Sequence, residues 1–245
     1  MLRKKILCLS ILLFSLGLTS LSHANSEQEI ITGCQKLSQY AQRGAKFYQQ
    51  KHYQKARDAF LDQAAWTHFC LYQTDIIGKK ISDEQLATAY NNVGLSYVKL
   101  GQPRWARAWF ELTPDSAKSQ FNLKKLPSVQ ASKSKQGTYV RYAGQGQWNT
   151  VEITNKGNLY QLDFNGLRMG INGLIYGPNL GEFSITMHKN ASLAEYRHEN
   201  CIIQLKFLPA NAQGERIDVI QNKADAECGF GFGVYADGSY LKVEN

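Results

Sequence analysis

Histidines and carboxylates are weighed first, because a general base, a metal ligand or the partner of a nucleophile is drawn from that set. Beyond residue 24 the chain holds His52, His68, His188 and His198. None stands beside a Gly-x-Ser-x-Gly turn, and no His-Glu-x-x-His pair exists to grip zinc from one helix face. His52 suits a turn between helices, and the other three suit polar positions near helix or strand ends. Asp83-Glu84 reads as the acidic first turn of a helix, and Glu195 with Glu199 as ordinary surface. The run Cys228-Gly229-Phe230-Gly231-Phe232-Gly233-Val234 lacks the strand-loop-helix setting of a phosphate cradle. It reads as a final strand or bulge whose glycines let the backbone pass close to a neighbour. No catalytic residue, metal or cofactor is expected, which leaves binding functions in front; a carbohydrate-acting enzyme without a motif is the third class kept.

Cysteine chemistry points the same way. Of five cysteines, Cys8 lies in an apolar N-terminal run, and Cys34, Cys70, Cys201 and Cys228 follow it. An even number with no Cys-x-x-Cys and no histidine at a zinc-site interval favours disulfides in an oxidising compartment. The expected pairing is Cys34 with Cys70 and Cys201 with Cys228.

That compartment is set by the start of the chain. Arg3, Lys4 and Lys5 precede the apolar run 6–18, and Ser22-His23-Ala24 supplies small residues for signal peptidase. The order is that of a secretory signal peptide, residues 1–24, cleaved after Ala24 to give a periplasmic protein. Because the run is shorter than the roughly 20 residues that cross a bilayer, no membrane insertion is expected. The formal net charge of +8 is unevenly placed: residues 25–136 hold 16 Lys+Arg against 9 Asp+Glu, and residues 137–245 hold 9 against 11. An anionic envelope component is therefore a conceivable partner of the first half. No dense basic run occurs, and no nucleic-acid partner is expected.

The elements that position these residues divide into two halves. Residues 27–126 have few β-branched runs and keep Leu37, Tyr40, Ala41, Gly44, Phe47 and Tyr48 on one helical face. Tyr40, Gly44, Phe47, Ala56 and Phe60 recur in order as Tyr90, Gly94, Tyr97, Ala106 and Phe110, with Val93 before the second glycine. This pattern resembles the tetratricopeptide repeat, in which small residues sit where two helices cross and aromatics fill the gap to the next hairpin. Arg43 stands where the family has Leu, and the separation of the two glycines exceeds the family period of about 34, implying an insertion around 70–82. Phe121-Asn122-Leu123 echoes the second copy and reads as a capping helix ended by Pro127. A chain reversal near Lys51-His52 would bring Cys34 and Cys70 to the same height on antiparallel helices. Ser82-Asp83-Glu84-Gln85 resembles a capping box.

Residues 127–136 are polar, small and aperiodic, and read as a linker. After them the pattern alternates: Val151 and Ile153; Leu159, Leu162 and Phe164; Phe183, Ile185 and Met187; Ile203, Leu205 and Phe207; Ile217 and Val219; Tyr240 and Val243. Turn chemistry falls at Asn155-Lys156-Gly157, Asn165-Gly166, Asn172-Gly173, Gly177-Pro178-Asn179 and Asp237-Gly238. The expected fold is therefore α + β in separate domains, tetratricopeptide-like helical hairpins over 25–126 and an antiparallel β-barrel or sandwich over 137–245. Cys228-Gly229-Phe230-Gly231, with Val234, Ala236-Asp237-Gly238, Tyr240 and Lys242, resembles the carboxyl end of small secreted bacterial β-domains of the kind found with lysozyme-inhibitor-like proteins.

The functional expectation is a periplasmic scaffold with no catalytic activity, holding another envelope protein or peptide on the concave face of its hairpins. Asn91, Asn92, Leu95, Val98 and Lys99 are the candidate contacts, joined by Arg104 and Arg107 from an arginine-tryptophan cluster with Trp66, Trp105 and Trp109. Most of those aromatics are expected to serve as core or inter-repeat packing. The alternative is an inhibitor or immunity-type protein whose β-domain blocks a cell-wall enzyme or toxin through loops near 172–179.

Overall fold

Helical spacing in the first half becomes α1 (Leu16–Gln35), α2 (Leu37–Gln49), α3 (Tyr53–Leu71), α4 (Thr74–Ile77), α5 (Asp83–Lys99), α6 (Pro103–Phe110) and α7 (Ala117–Lys125). The computed structural model describes residues 16–129, 131–132 and 134–245. The basic start and most of the apolar run of the expected signal peptide lie outside the described residues.

Two of the hairpins, α2–α3 and α5–α6, are built alike. In the first turn the N–H groups of Gln50, Lys51 and His52 donate to the carbonyls of Lys46, Tyr48 and Phe47; in the second, those of Leu100, Gly101 and Gln102 donate to Ser96, Val98 and Tyr97. Each donor and acceptor has its counterpart 50 residues on. The turn needs a left-handed residue, supplied by Gly101 at φ 73° and by Lys51 at φ 61°. Gly44 and Gly94 mark the crossings: a methyl on Gly44 would run into the ring of Phe60, and one on Gly94 into that of Phe110. Gly33 of α1 faces Trp66 of α3 in the same manner. Ser82 closes the start of α5 with the full capping box expected, its hydroxyl accepting from the Gln85 N–H and its own N–H donating to the Gln85 side chain. Pro103 opens α6, where its missing N–H costs nothing.

The second half holds β1 (Gly137–Gly144), β2 (Gln147–Lys156), β3 (Leu159–Arg168), β4 (Asn179–His188), β5 (Leu193–His198), β6 (Cys201–Phe207), β7 (Arg216–Gln221) and β8 (Gly238–Lys242), with a short helix α8 (Gly173–Tyr176) between β3 and β4. All pairings are antiparallel in the order β4-β3-β2-β1-β8-β7-β6-β5. The two edge strands come together through Phe183 and Tyr196, whose rings stack at 4.5 Å, so the sheet is a nearly closed barrel and not a sandwich. Inward positions on alternate residues fill it: Tyr139, Val151, Ile153, Leu162, Phe164, Ile203, Leu205, Ile217 and Tyr240 form one buried cluster.

Two local readings are corrected. Asn165-Gly166 is not a turn but lies inside β3, where the absence of a side chain at Gly166 leaves room for the Phe164 ring. Residues 228–234 do not form a strand; a single 3-10 turn at Ala226–Cys228 leads into a loop, and the final strand is β8. The close backbone passage expected there does occur, since the Gly231 N–H donates to the Leu180 carbonyl. Strands β1 and β5 were not legible from alternation. In β1 the reason is burial on both faces: Tyr139 points into the barrel, whereas Val140 points outward with Leu241 of β8 and Val243 beneath Ala108 of α6.

Both disulfides form as expected, Cys34–Cys70 with Cα atoms 5.9 Å apart and Cys201–Cys228 at 5.1 Å. The two halves nevertheless share one interface. Tyr142 and Trp148 on the outer face of the barrel meet Tyr90 and Trp109, with Trp148 5.3 Å from Trp109 and Tyr142 5.6 Å from Tyr90. His68 of α3 accepts from the Gln145 N–H at 3.1 Å. Gln73 donates to the Ile171 carbonyl at 3.1 Å, and Leu174 and Ile175 rest on the cluster around Ile30, Phe69 and Cys70. The segment read as a linker is packed too: the Ser134 carbonyl accepts from buried Lys242, and the Lys135 carbonyl from the Tyr139 hydroxyl.

Candidate functional site

Covering one side of the helices leaves the other open. The barrel lies against the second helices of the two hairpins, α3 and α6, so the face made by α2, α5 and α7 meets solvent. A cavity of about 540 Å³ opens there between α1, α2, α3 and α5, lined among others by Ile31, Leu37, Gln63, Thr67, Gln85 and Thr88. A second, of about 260 Å³, lies between α5 and α7 and is lined by Thr88, Asn91, Asn92, Leu95, Lys118, Phe121 and Asn122. Thr88 belongs to both, and Asn92 in the second donates to Gln63 in the first at 3.1 Å. The two therefore make one groove along α5.

The candidate contacts separate into three groups. Asn92 and Leu95 line the groove half-exposed. Asn91 lines it as well, but is only 3% exposed, and its amide is already used: it donates to the Ala87 carbonyl and the Ser119 hydroxyl and accepts from Asn122 at 2.7 Å. It ties α5 to α7. Val98 and Lys99 are exposed one turn farther on, outside both cavities.

Arg104 and Arg107 belong elsewhere. Arg104 reaches Glu215 of the barrel at 3.5 Å and also Asn245, and Arg107 lies 3.9 Å from Glu111, which pairs with Arg216. Trp105 donates to Glu244 at 2.8 Å. The arginine-tryptophan cluster thus engages the barrel of its own chain, and Trp66 packs between α1 and α3.

Sequence reasoning missed Thr88, Lys118, Phe121 and Asn122. Thr88 was within reach, because stepping back one turn from Asn92 on the same helix face leads to it. The α7 residues needed the knowledge that the capping helix lies beside α5. Phe121 is 58% exposed, with the Lys125 ammonium 4.0 Å from its ring centre. Lys118 pairs with Glu84 and donates to the Thr88 hydroxyl at 2.8 Å, so the groove floor carries little net charge.

The perturbed ionisable groups Tyr90, Tyr142 and His68 lie at the seam between the halves, and none of them lines the groove. Burial pushes the Tyr142 phenol up to about 12, against the opposing effect of its hydrogen bonds to Tyr90 and the Gly146 N–H, and burial raises Tyr90 further. Burial lowers His68, and it lowers Lys242 despite the attraction of Glu215. Tyr90 and Lys242 are buried and Tyr142 and His68 partly so, and the shifts report that enclosure. The groove offers amides, hydroxyls and aliphatic surface, a set that hydrogen-bonds main chain and shelters apolar side chains. No group of three or more His, Cys, Asp or Glu among the described residues is placed to hold a metal ion. No protein-family model, curated protein or solved structure matches the chain.

Proposed function

We propose that this protein is exported to the periplasm and that its helical half captures an extended segment of another envelope protein or peptide in the groove along α5, without catalysis. The observation that carries the reading is that groove: two cavities joined at Thr88, edged by amides from three helices and by the exposed Phe121. Its amides supply main-chain partners, and Leu95 and Phe121 supply apolar contact area. The order of basic, apolar and small residues up to Ala24 supports export, as do the two disulfides. No helix among the described residues is long and apolar enough to cross a membrane. The 50-residue correspondence of the two hairpins supports the tetratricopeptide-like reading, with the α3–α5 connection as the inserted part.

The test is site-specific photo-crosslinking in intact cells, with the photoreactive residue placed at Phe121, at Leu95, at Tyr176 of the barrel loop 169–178 or, as a distant control, at Leu193. Crosslinks to one envelope protein from Phe121 and Leu95 but not from Leu193 are expected. Replacing Leu95 and Phe121 by Glu together should abolish them while leaving the fold intact, since exposed substitutions usually shift stability by about 0.5 kcal/mol. Crosslinks that form only at the barrel loop 169–178 would sink the groove reading and favour a barrel-borne inhibitor of a cell-wall enzyme or toxin.

A further inference from the structure

We propose that the end of the barrel carrying the β3–β4 and β7–β8 connections is a self-association surface on which a second copy of this chain docks. The antiparallel order brings these two connections to the same rim. There they are tied together, because the Asn179 side chain donates to the Phe232 carbonyl at 2.8 Å and the Gly231 N–H to the Leu180 carbonyl at 2.8 Å. The two segments of this rim, residues 169–181 and 228–236, contain no Asp, Glu, Lys or Arg, although one residue in five is charged over the whole sequence; Arg168 borders them, its guanidinium 5.9 Å from the Phe232 ring centre. In place of charge the rim presents large apolar side chains, with Phe232 80% exposed, Ile171 and Tyr176 each 71%, and Leu180 65%.

The loop bearing Phe232 is also held rigid. The Cys201–Cys228 disulfide anchors its start, the Asp225 carboxylate accepts from the Ala226 and Gly233 N–H groups, and Gly233 takes a left-handed φ of 72°. An exposed aromatic on a fixed loop loses little conformational freedom when it is covered, which is what an interface anchor requires.

Area and charge select the occupant. Four side chains of this size at these exposures offer about 600 Å², and the uncharged backbone between them brings one face close to the roughly 800 Å² per partner of a standard interface. Two copies repel through their helical halves, each with 16 Lys+Arg against 9 Asp+Glu over residues 25–136. Here the two segments themselves bring no charge, and the cation beside Phe232, Arg168, lies over its ring, whereas an anionic membrane or an acidic protein would be drawn to the lysines of the helical half. This surface is separate from the α5 groove and does not depend on the reading of it.

Sedimentation velocity of the purified protein from about 1 to 100 µM should show a monomer-dimer equilibrium with a dissociation constant in the micromolar range. Phe232→Glu should weaken it by at least about tenfold, and Phe232→Glu with Leu180→Lys should leave monomer throughout, with circular dichroism unchanged. Leu193→Glu, at an apolar position 46% exposed at the opposite end of the barrel, should dimerise as the parent does. A parent protein that stays monomeric at 100 µM overturns the proposal, as does a dimer indifferent to Phe232→Glu. Co-sedimentation of a monomeric protein with phosphatidylcholine vesicles that depends on Phe232 also overturns it, in favour of a lipid surface.

Discussion

Gly94→Ala sets two effects of opposite sign against each other. In the middle of an exposed helix the change is stabilising, by about 1 kcal/mol, because alanine loses less backbone entropy than glycine. At Gly94 the added methyl meets three ring carbons of Phe110, the farthest of them at 2.9 Å, and Phe110 is fully buried in the hairpin with no solvent side to move into. Overfilling a close-packed crossing of this kind costs about 1 to 3 kcal/mol, and the depth of the overlap puts this site at the upper end. The net result is a loss of about 2 kcal/mol, which for a chain of this size lowers the melting temperature by about 4 to 8 °C. The assay is thermal unfolding followed by far-ultraviolet circular dichroism, with the disulfides intact. Phe110→Leu supplies the control: in that background the ring is gone, and Gly94→Ala should change sign and raise stability by up to about 1 kcal/mol. If Gly94→Ala raises the melting temperature of the parent protein, the α5–α6 crossing is not packed as described and the argument fails.

The remaining predictions use the same fold. Lys51→Gly should raise stability by about 1 kcal/mol in chemical denaturation, because Lys51 sits at φ 61° in the turn where the second hairpin has Gly101. Ser82→Ala should lower it by about 1 kcal/mol by removing the capping box of α5. For His68 the folded state binds its proton more weakly than the unfolded chain, since burial lowers its pKa below 6.5 and its Nδ1 is occupied by the Gln145 N–H. Stability from this residue is complete above about pH 6.5 and falls as the pH drops toward the lowered folded value. A His68→Gln variant should show a flatter stability profile between pH 7 and 5; an unchanged profile would count against the buried, neutral imidazole.

How far the sequence could be read depended on how many faces of an element are buried. Alternation was legible where a strand has one buried and one wet face, as in β2 with Val151 and Ile153 inward and Glu152 out. It failed in β1, where Tyr139 and Val140 are buried on opposite sides, while β8 was legible only through Tyr240 and Val243, because Leu241 is buried opposite Tyr240. The hairpins were legible because their crossings demand glycine at fixed places. The Cys34–Cys70 disulfide followed from spacing along antiparallel helices and Cys201–Cys228 from one bridge per half, but the seam between the halves did not, since nothing local marks Trp148 and Tyr142 as partners of Trp109 and Tyr90. In the groove, Asn92 and Leu95 could be placed by helix face alone. That Asn91 spends its amide on Ser119 and Asn122 depends on α7 folding back, a contact 28 to 31 residues distant.

The seam also decides which surface is free to act. A stack of two hairpins and a cap buries little on its own, because each hairpin has packing surface on both sides and neighbours on few. The barrel meets that need on the α3–α6 side: Ala65 and His68 of α3 lie against Gly146 and Gly144, and Trp105, Ala108 and Trp109 of α6 lie against Trp148, Val140 and Leu241. Arg104 then finds Glu215, and Glu111 finds Arg216, across the same boundary. Residues that in isolation read as a cationic, aromatic binding patch are consumed inside the chain, and the positive charge that remains exposed on the helical half comes mainly from lysines such as Lys79, Lys80, Lys99 and Lys125. On the proposed reading, recognition by the helical half is left to the α2–α5–α7 face, where amides and two apolar side chains stay open. Truncating Trp148 to Ala should accordingly destabilise both halves together, by about 3 to 5 kcal/mol in a single cooperative transition. Two separate calorimetric transitions, with only the barrel affected, would show instead that the halves are independent and that the face assignment has no structural basis.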